Sequence, residues 1–220
     1  YDMKPAKFDF ATVETSKQAS AELAVKDGGT KVIAGAQSLG PMLNLRLVRP
    51  ARLIDISMMP QLRDVRETED GTEIGAAITH AEIEDGEVCD PTGGWLQQAA
   101  TNIAHRAVRN RGTLGGSIAH ADPAADWVIV MTGLDAVVLI DGPSGRREVS
   151  MASFVTGPFA TGLHEGEIIS AVRVRRFGAD ARWGCLAGER ATFGESHCTG
   201  NECANHCQSP DATPSAWRRT

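Results

Sequence analysis

Two short segments of this 220-residue chain combine glycine with small and hydroxyl-bearing residues: Ala34-Gly35-Ala36-Gln37-Ser38-Leu39 and Thr113-Leu114-Gly115-Gly116-Ser117. Glycine lacks a Cβ and adopts backbone angles closed to other residues. Successive N–H groups can then turn toward one point and make a hollow for an anion. Two such hollows in one chain predict a ligand with more than one phosphate, held between two lobes. The first segment is neither a Walker A motif nor a Gly-x-Gly-x-x-Gly fingerprint, and a tight strand-to-loop turn is its alternative reading. The second is a longer glycine loop, running on through Ile118-Ala119-His120-Ala121-Asp122-Pro123 to Trp127, and it follows the basic run Arg106, Arg109, Arg111. Arg109 and Arg111 either offset phosphate charge or sit as solvated charges at a helix end.

Other chemistry-bearing residues read more plainly. His105 and His120 have no partner at metal-ligand spacing, and a structural role is expected. Asp122 reads as a helix N-cap and Asp126 as an acceptor for a ligand hydrogen bond. No Gly-x-Ser-x-Gly elbow is present, so no hydrolase triad is expected. Cys198, Cys203 and Cys207, with His197 and His206, match no closed metal-site spacing, and no metal is expected.

The elements that must position these segments follow from pattern. A strand at Phe8–Phe10, a helix from Ser16 capped by Thr15 or Ser16, a buried strand Lys31–Ile33 and a strand Arg52–Ile56 predict a β-α-β-type first lobe. Beyond Met58-Met59-Pro60, Glu69-Asp70-Gly71 marks a hairpin between Leu62–Glu67 and Thr72–Ile78. Thr79-His80-Ala81-Glu82 is a capping box. Trp95–Val108 has helical period, as does Asp126–Met131. Asp135–Ile140, Arg147–Val149 and Ile168–Val174 read as strands, with a turn at Gly142-Pro143-Ser144-Gly145. Three regions are expected: a lobe over 1–57, a second lobe over 58–180, and a divergent, poorly ordered tail over 181–220.

Composition narrows the function classes. A net charge of −6 gives no electrostatic case for nucleic acid or an anionic membrane. No stretch approaches the ~20 apolar residues that span a bilayer. Tyr1-Asp2-Met3-Lys4-Pro5 does not open a signal peptide, which makes a cytoplasmic location the expectation.

The two glycine segments, with the second running on as Ile118-Ala119-His120-Ala121-Asp122-Pro123-Ala124-Ala125-Asp126, resemble the FAD-binding medium subunit of molybdenum hydroxylases. Medium chains of aerobic carbon monoxide dehydrogenase and of heteroaromatic dehydrogenases are of this kind, and xanthine dehydrogenase carries a similar domain. The resemblance runs from about Met3 to Arg182. It implies an α+β fold of the vanillyl-alcohol-oxidase type with FAD between the two lobes. It implies that Ala34, Gly35, Ala36, Gln37 and Ser38, ending at Leu39, and Thr113, Leu114, Gly115, Gly116 and Ser117 hold the pyrophosphate by main-chain N–H groups. Asp126 would bond to the flavin nucleotide, and Ile169 would be an apolar flavin contact. The implied function is an oxidoreductase subunit that passes electrons from the iron–sulfur clusters of a small subunit to an external acceptor, beside a molybdenum-containing large subunit, with no catalytic side chain of its own. A stand-alone FAD-dependent oxidoreductase and a truncated, non-catalytic subunit are the alternatives. Two departures stand out. Ala36 occupies a position where the family usually has glycine. After Ala181-Arg182-Trp183-Gly184 the sequence leaves the family pattern, so the family's third domain is expected to be missing or replaced, by a reading-frame change or truncation.

Overall fold

The computed structural model describes residues 4–24 and 29–177. The cysteine cluster and the expected 181–220 tail lie outside the described residues.

The first lobe runs β1 (Asp9–Thr12), α1 (Ser16–Leu23), β2 (Thr30–Ile33), α2 (Leu39–Asn44) and β3 (Arg52–Asp55). Its sheet has the order β1-β3-β2, and both pairings are parallel. The central strand carries the apolar pair Leu53 and Ile54, both buried, as a parallel strand covered on two faces requires. Thr15 caps α1, its hydroxyl accepting from the Gln18 N–H at 3.2 Å. The strand at 30–33 is not the buried strand expected from its apolar run. Lys31 is exposed, and Val32 and Ile33 are half-buried, because β2 is an edge strand with a cleft beside it.

The second lobe follows as β4 (Val65–Thr68), β5 (Gly71–Gly75), α3 (His80–Glu84), α4 (Trp95–Asn102), α5 (Arg106–Arg109), α6 (Leu114–His120) and α7 (Asp126–Gly133). It continues as β6 (Val137–Gly142), β7 (Gly145–Ser150), α8 (Met151–Phe154), β8 (Val155–Gly157), β9 (Ala160–Thr161) and β10 (Ile168–Val174). A five-stranded antiparallel sheet, β4-β5-β10-β6-β7, is its platform, and β8 pairs with β9. The hairpin at 69–71 forms as expected. Gly71 has φ +143° and lies against the Val174 backbone, where any side chain would collide. β10 sits in the middle of the sheet and is apolar nearly throughout, and Trp127, Leu114, Met131 and Phe154 pack in the same core.

A second apolar cluster joins the lobes: Ala19, Ile54 and Ile56 pack with Met59, Leu62, Ala77 and Ile168. The two larger sheets among the described residues are therefore of different type, one parallel and one antiparallel, with a shared apolar seam in an α+β arrangement.

Three local expectations are corrected. Trp95–Val108 is not one helix: α4 ends at Asn102, Ala104 takes φ +42°, and α5 begins at Arg106. The glycine pair 115–116 is not in a loop but in the first turn of α6, with Thr113 as N-cap. The N-cap of α7 is Ala125 rather than Asp122; the Asp122 carboxylate instead accepts from the Ala124 N–H at 2.9 Å in a local turn.

Candidate functional site

Residues 34–39 link β2 to α2, and residues 113–117 open α6. The two segments meet. Gly35 lies so close to the Arg111 carbonyl and the Gly112 Cα that a Cβ on it would strike the backbone. Between them opens a cleft of about 510 Å³, within the usual range of ~300–1,000 Å³ for small-molecule sites. It is lined by Ala34 to Leu39, by Thr113, Gly115, Gly116 and Ser117, and by Ile169 on β10. Leu114 is fully buried in the core and offers the cleft no surface. Asp126 sits exposed in the first turn of α7, outside the lining, whereas Asp122 is part of it.

The segments differ in what they present. Among the described residues, no acceptor meets the N–H groups of Gly35, Ala36, Gln37, Ser38 or Leu39. Ser38 makes no capping bond, and Ala36 is held at φ +60°. That angle is unfavourable for an L-residue with a Cβ. The Gln37 side chain bonds to the Gly35 carbonyl at 2.8 Å and ties the turn to itself. The result is a run of open amides at the start of a helix.

The N–H groups of α6 are already engaged. Leu114 donates to Ile78 O at 2.9 Å, Gly115 to Ala76 O at 2.8 Å and Ser117 to Thr113 O at 3.0 Å. Gly116 donates to Thr113 Oγ1 at 3.1 Å. This segment offers the hydroxyl protons of Thr113 and Ser117 instead, and its glycines serve packing: a Cβ on Gly115 would lie 2.5 Å from the Ala76 Cβ.

The charges near the cleft are largely paired. Arg109 is not free for a ligand: it grips Glu84 through Nε and a terminal nitrogen at 2.8 and 2.9 Å, and it donates to the Ile103 and Ala104 carbonyls. Arg106 bonds to Glu84 and Asp85. Glu167 lines the cleft but is clamped by Arg147, with two contacts of 2.7 Å, and by the His164 N–H at 2.7 Å. The hydrogen bonds from Arg147 hold its pKa down to about 2, so it stays a carboxylate. Lys31 also lines the cleft and makes no ion pair among the described residues. His105 caps α5 at an exposed position. His120 lines the cleft, and its ring packs tilted against Phe159 with centroids 5.2 Å apart.

Among the lining residues not singled out from the sequence as ligand contacts are His80, Asp122 and Glu167. His80 follows the capping threonine of α3, and its burial (5% exposed) depends on Trp127, distant in sequence, whose indole Nε1–H bonds to its Nδ1 at 2.9 Å. Burial, and then the nearby Arg109 charge, lower its pKa to about 4.

Comparison with known proteins gives a consistent picture. Residues 6–175 match the family described as the FAD binding domain in molybdopterin dehydrogenase. The 6-hydroxypseudooxynicotine dehydrogenase complex subunit alpha of Paenarthrobacter nicotinovorans is 39% identical over 174 residues, covering 78% of this chain and 58% of the relative. The carbon monoxide dehydrogenase medium chain of Hydrogenophaga pseudoflava is 35% identical over 181 residues, covering 82% of this chain and 63% of its own. A solved structure of the carbon monoxide dehydrogenase from that organism, lacking the Mo-pyranopterin moiety of its molybdenum cofactor, superposes with a TM-score of 0.78 at 36% identity, again over 82% and 63% of the two chains. The chain thus spans about three-fifths of the length of these relatives (58–63%). No helix among the described residues is long and apolar enough to cross a membrane.

Proposed function

The chain belongs to the family of FAD-binding domains of molybdopterin dehydrogenases, and from that premise we propose that it acts as the flavin subunit of a molybdenum hydroxylase complex. In this reading it accepts electrons from iron–sulfur clusters on a small partner chain and delivers them to an external acceptor. Substrate is oxidised on a molybdenum-containing large partner. The reading places the complex in the cytoplasm.

The observation that carries the reading is the run of open amides from Gly35 to Leu39 facing a cleft between two lobes. A diphosphate only accepts hydrogen bonds, so donors without partners suit it and engaged ones do not. The residues present therefore fit FAD. We assign the diphosphate to the 35–39 amides, with the Thr113 and Ser117 hydroxyls as donors from the opposite wall. Ile169 and Ile168, on the buried central strand, give an apolar wall suited to an aromatic ring. Asp122 lines the cleft, and we assign to it the role of acceptor for a ribose or ribityl hydroxyl. Lys31 adds a positive charge at the cleft edge.

When bound, the flavin supplies redox chemistry that amino-acid side chains lack. The residues of this chain hold and orient it. Glu167 is fixed as a carboxylate by Arg147, and His80 is kept neutral by burial, so neither is poised to exchange protons near neutral pH. That pattern suits electron relay better than an enzyme with its own acid/base step.

The test is reconstitution. The full chain, stripped of flavin and refolded, is titrated with FAD while flavin fluorescence is followed. One FAD per chain is expected. The bound flavin should lose its absorbance when the chemically reduced iron–sulfur partner is added. A folded chain that holds no flavin would remove the proposal. A flavin that binds but stays oxidised beside the reduced partner would remove the electron-transfer part alone.

A further inference from the structure

We propose that His80 contacts FAD, donating its Nε2–H to an acceptor atom on one of the cofactor's ring systems. The inference rests on the FAD reading above and adds a binding residue to it.

The tautomer is set by geometry. Indole nitrogen is a donor only, so the 2.9 Å contact from Trp127 Nε1 makes His80 Nδ1 an acceptor. The single proton of the neutral ring must then reside on Nε2. No acceptor meets Nε2 among the described residues, yet that nitrogen is not sealed in the core, since the ring is part of the cleft wall. A residue 95% buried thus aims one unused donor at the ligand space, given its relative exposure of 5%. Nε2 is not among the buried unpartnered atoms, so it keeps access to the cleft, where an acceptor on a ligand can meet it.

The surroundings say what kind of acceptor fits. Gly112 lies directly over the ring edge, and a Cβ there would come within 2.7 Å of Nε2. Glycine at that position keeps the nitrogen uncovered. Ile103 and Val108 also line the cleft. Burial, together with the cationic Arg109, keeps the ring uncharged. A neutral N–H suits a ring nitrogen or ring carbonyl. The phosphates are better matched by the charged and polar lining of residues 31–39. FAD carries such acceptors on both adenine and isoalloxazine, and the test separates them.

Full-length chain, H80F and H80Q are titrated with FAD, ADP and riboflavin, each after circular dichroism has shown the protein folded. H80F keeps the ring shape and loses both nitrogens. H80Q can place an amide N–H near the Nε2 position. One hydrogen bond predicts a roughly three- to tenfold weaker FAD Kd for H80F, and recovery to within about twofold in H80Q. The fragment whose affinity falls in H80F identifies the ring contacted; a loss with FAD but with neither fragment would mark an indirect effect and overturn the proposal. Because H80F leaves the Trp127 N–H unpaired, the parent chain supplies a second measurement: ¹⁵N-edited spectra of the imidazole. These should show a neutral Nε2–H tautomer whose resonance moves on adding FAD. An Nδ1–H tautomer, or an Nε2–H signal unmoved at saturating FAD, overturns the proposal while leaving the FAD reading intact. A parent chain that binds no FAD defeats that reading instead.

Discussion

Residues 35–39 leave their amides open along the cleft, whereas residues 114–117 commit theirs to Ile78, Ala76 and Thr113. Both segments have the same composition of glycine, small residue and hydroxyl, and they lie in contact. The difference comes from what precedes each. The first follows an edge strand, where the chain turns away from its sheet; the Arg111 carbonyl packs against Gly35 but accepts from none of these amides. The second is docked on the residues just after β5, through an isolated bridge between Thr79 and Thr113. Gly35 lets its turn pack against the Arg111 carbonyl and the Gly112 Cα, and Gly115 lets α6 approach Ala76, so in both segments glycine allows a close approach of backbone. The segments differ in their amides, which are open in the first and engaged in the second.

The sharpest way to break this comparison is Gly115→Ala. The added methyl would meet the Ala76 Cβ at 2.5 Å and its carbonyl oxygen at 2.8 Å, neither of which can swing away. Overpacking of this kind costs about 1–3 kcal/mol, or a fall of roughly 3–10 °C in the melting temperature of the flavin-free chain. Stability should drop before affinity does. If the variant melts like the parent and yet fails to hold FAD, the second segment is a ligand contact in its own right and the division of labour is wrong.

Acid sharpens the same contrast, because the second wall includes a buried imidazole and the first loop only amides. Unfolded, His80 takes up a proton near the ordinary histidine value of 6.5; folded, it does so only near 4. Between those values the unfolded chain binds the extra proton, so stability falls as pH drops from 6.5 toward 4. The full difference is worth at most about 3 kcal/mol. Glu167, with its folded pKa held near 2, adds its own loss only below about 4.5. Urea midpoints for the parent should therefore decline between about pH 7 and 5, and H80Q should flatten that decline. Equal slopes in the two proteins would show that His80 is not held neutral by its surroundings.

Much of the architecture was legible because it depends on local pattern. The capping box at Thr79–Glu82 formed as read, with Glu82 bonding back to the Thr79 N–H at 2.8 Å. The 69–71 hairpin and the apolar strand at 168–174 also follow from alternation and turn chemistry. The failures share a cause: they were decided by partners distant in the chain. Trp95–Val108 has helical period throughout, but the chain breaks at Ala104, where Arg109 holds the Ile103 and Ala104 carbonyls and is itself held by Glu84. Arg109 reads either as an offset to phosphate charge or as a solvated helix-end charge, because its carboxylate partner lies 25 positions away. His80 could not be seen as a cleft residue, because Trp127, which orients it, is 47 positions on. The glycine pair 115–116 read as a loop since Ala76, which accepts from the Gly115 amide, precedes it by nearly forty residues. Only in three dimensions is its hydrogen-bonding capacity already used.

The smallest expected effect runs in the opposite direction and tests the first segment alone. Ala36 sits at φ +60°, a region where its Cβ crowds the following carbonyl. Gly40 donates to the Ala36 carbonyl at 2.8 Å, which helps hold the turn in that shape. Ala36→Gly removes the crowding and keeps the N–H. Greater chain entropy in the unfolded state offsets part of the gain, leaving about 1 kcal/mol of added stability, or roughly 2–4 °C in melting temperature. Affinity for FAD should stay within about threefold, since the donor set and its geometry persist and one hydrogen bond is worth only ~0.5–1.5 kcal/mol. A higher melting temperature with tenfold weaker binding would be more informative than success. It would mean that the methyl group stiffens the loop in the shape the diphosphate needs, so that the strain at position 36 is part of how the open amides are kept aimed at one point.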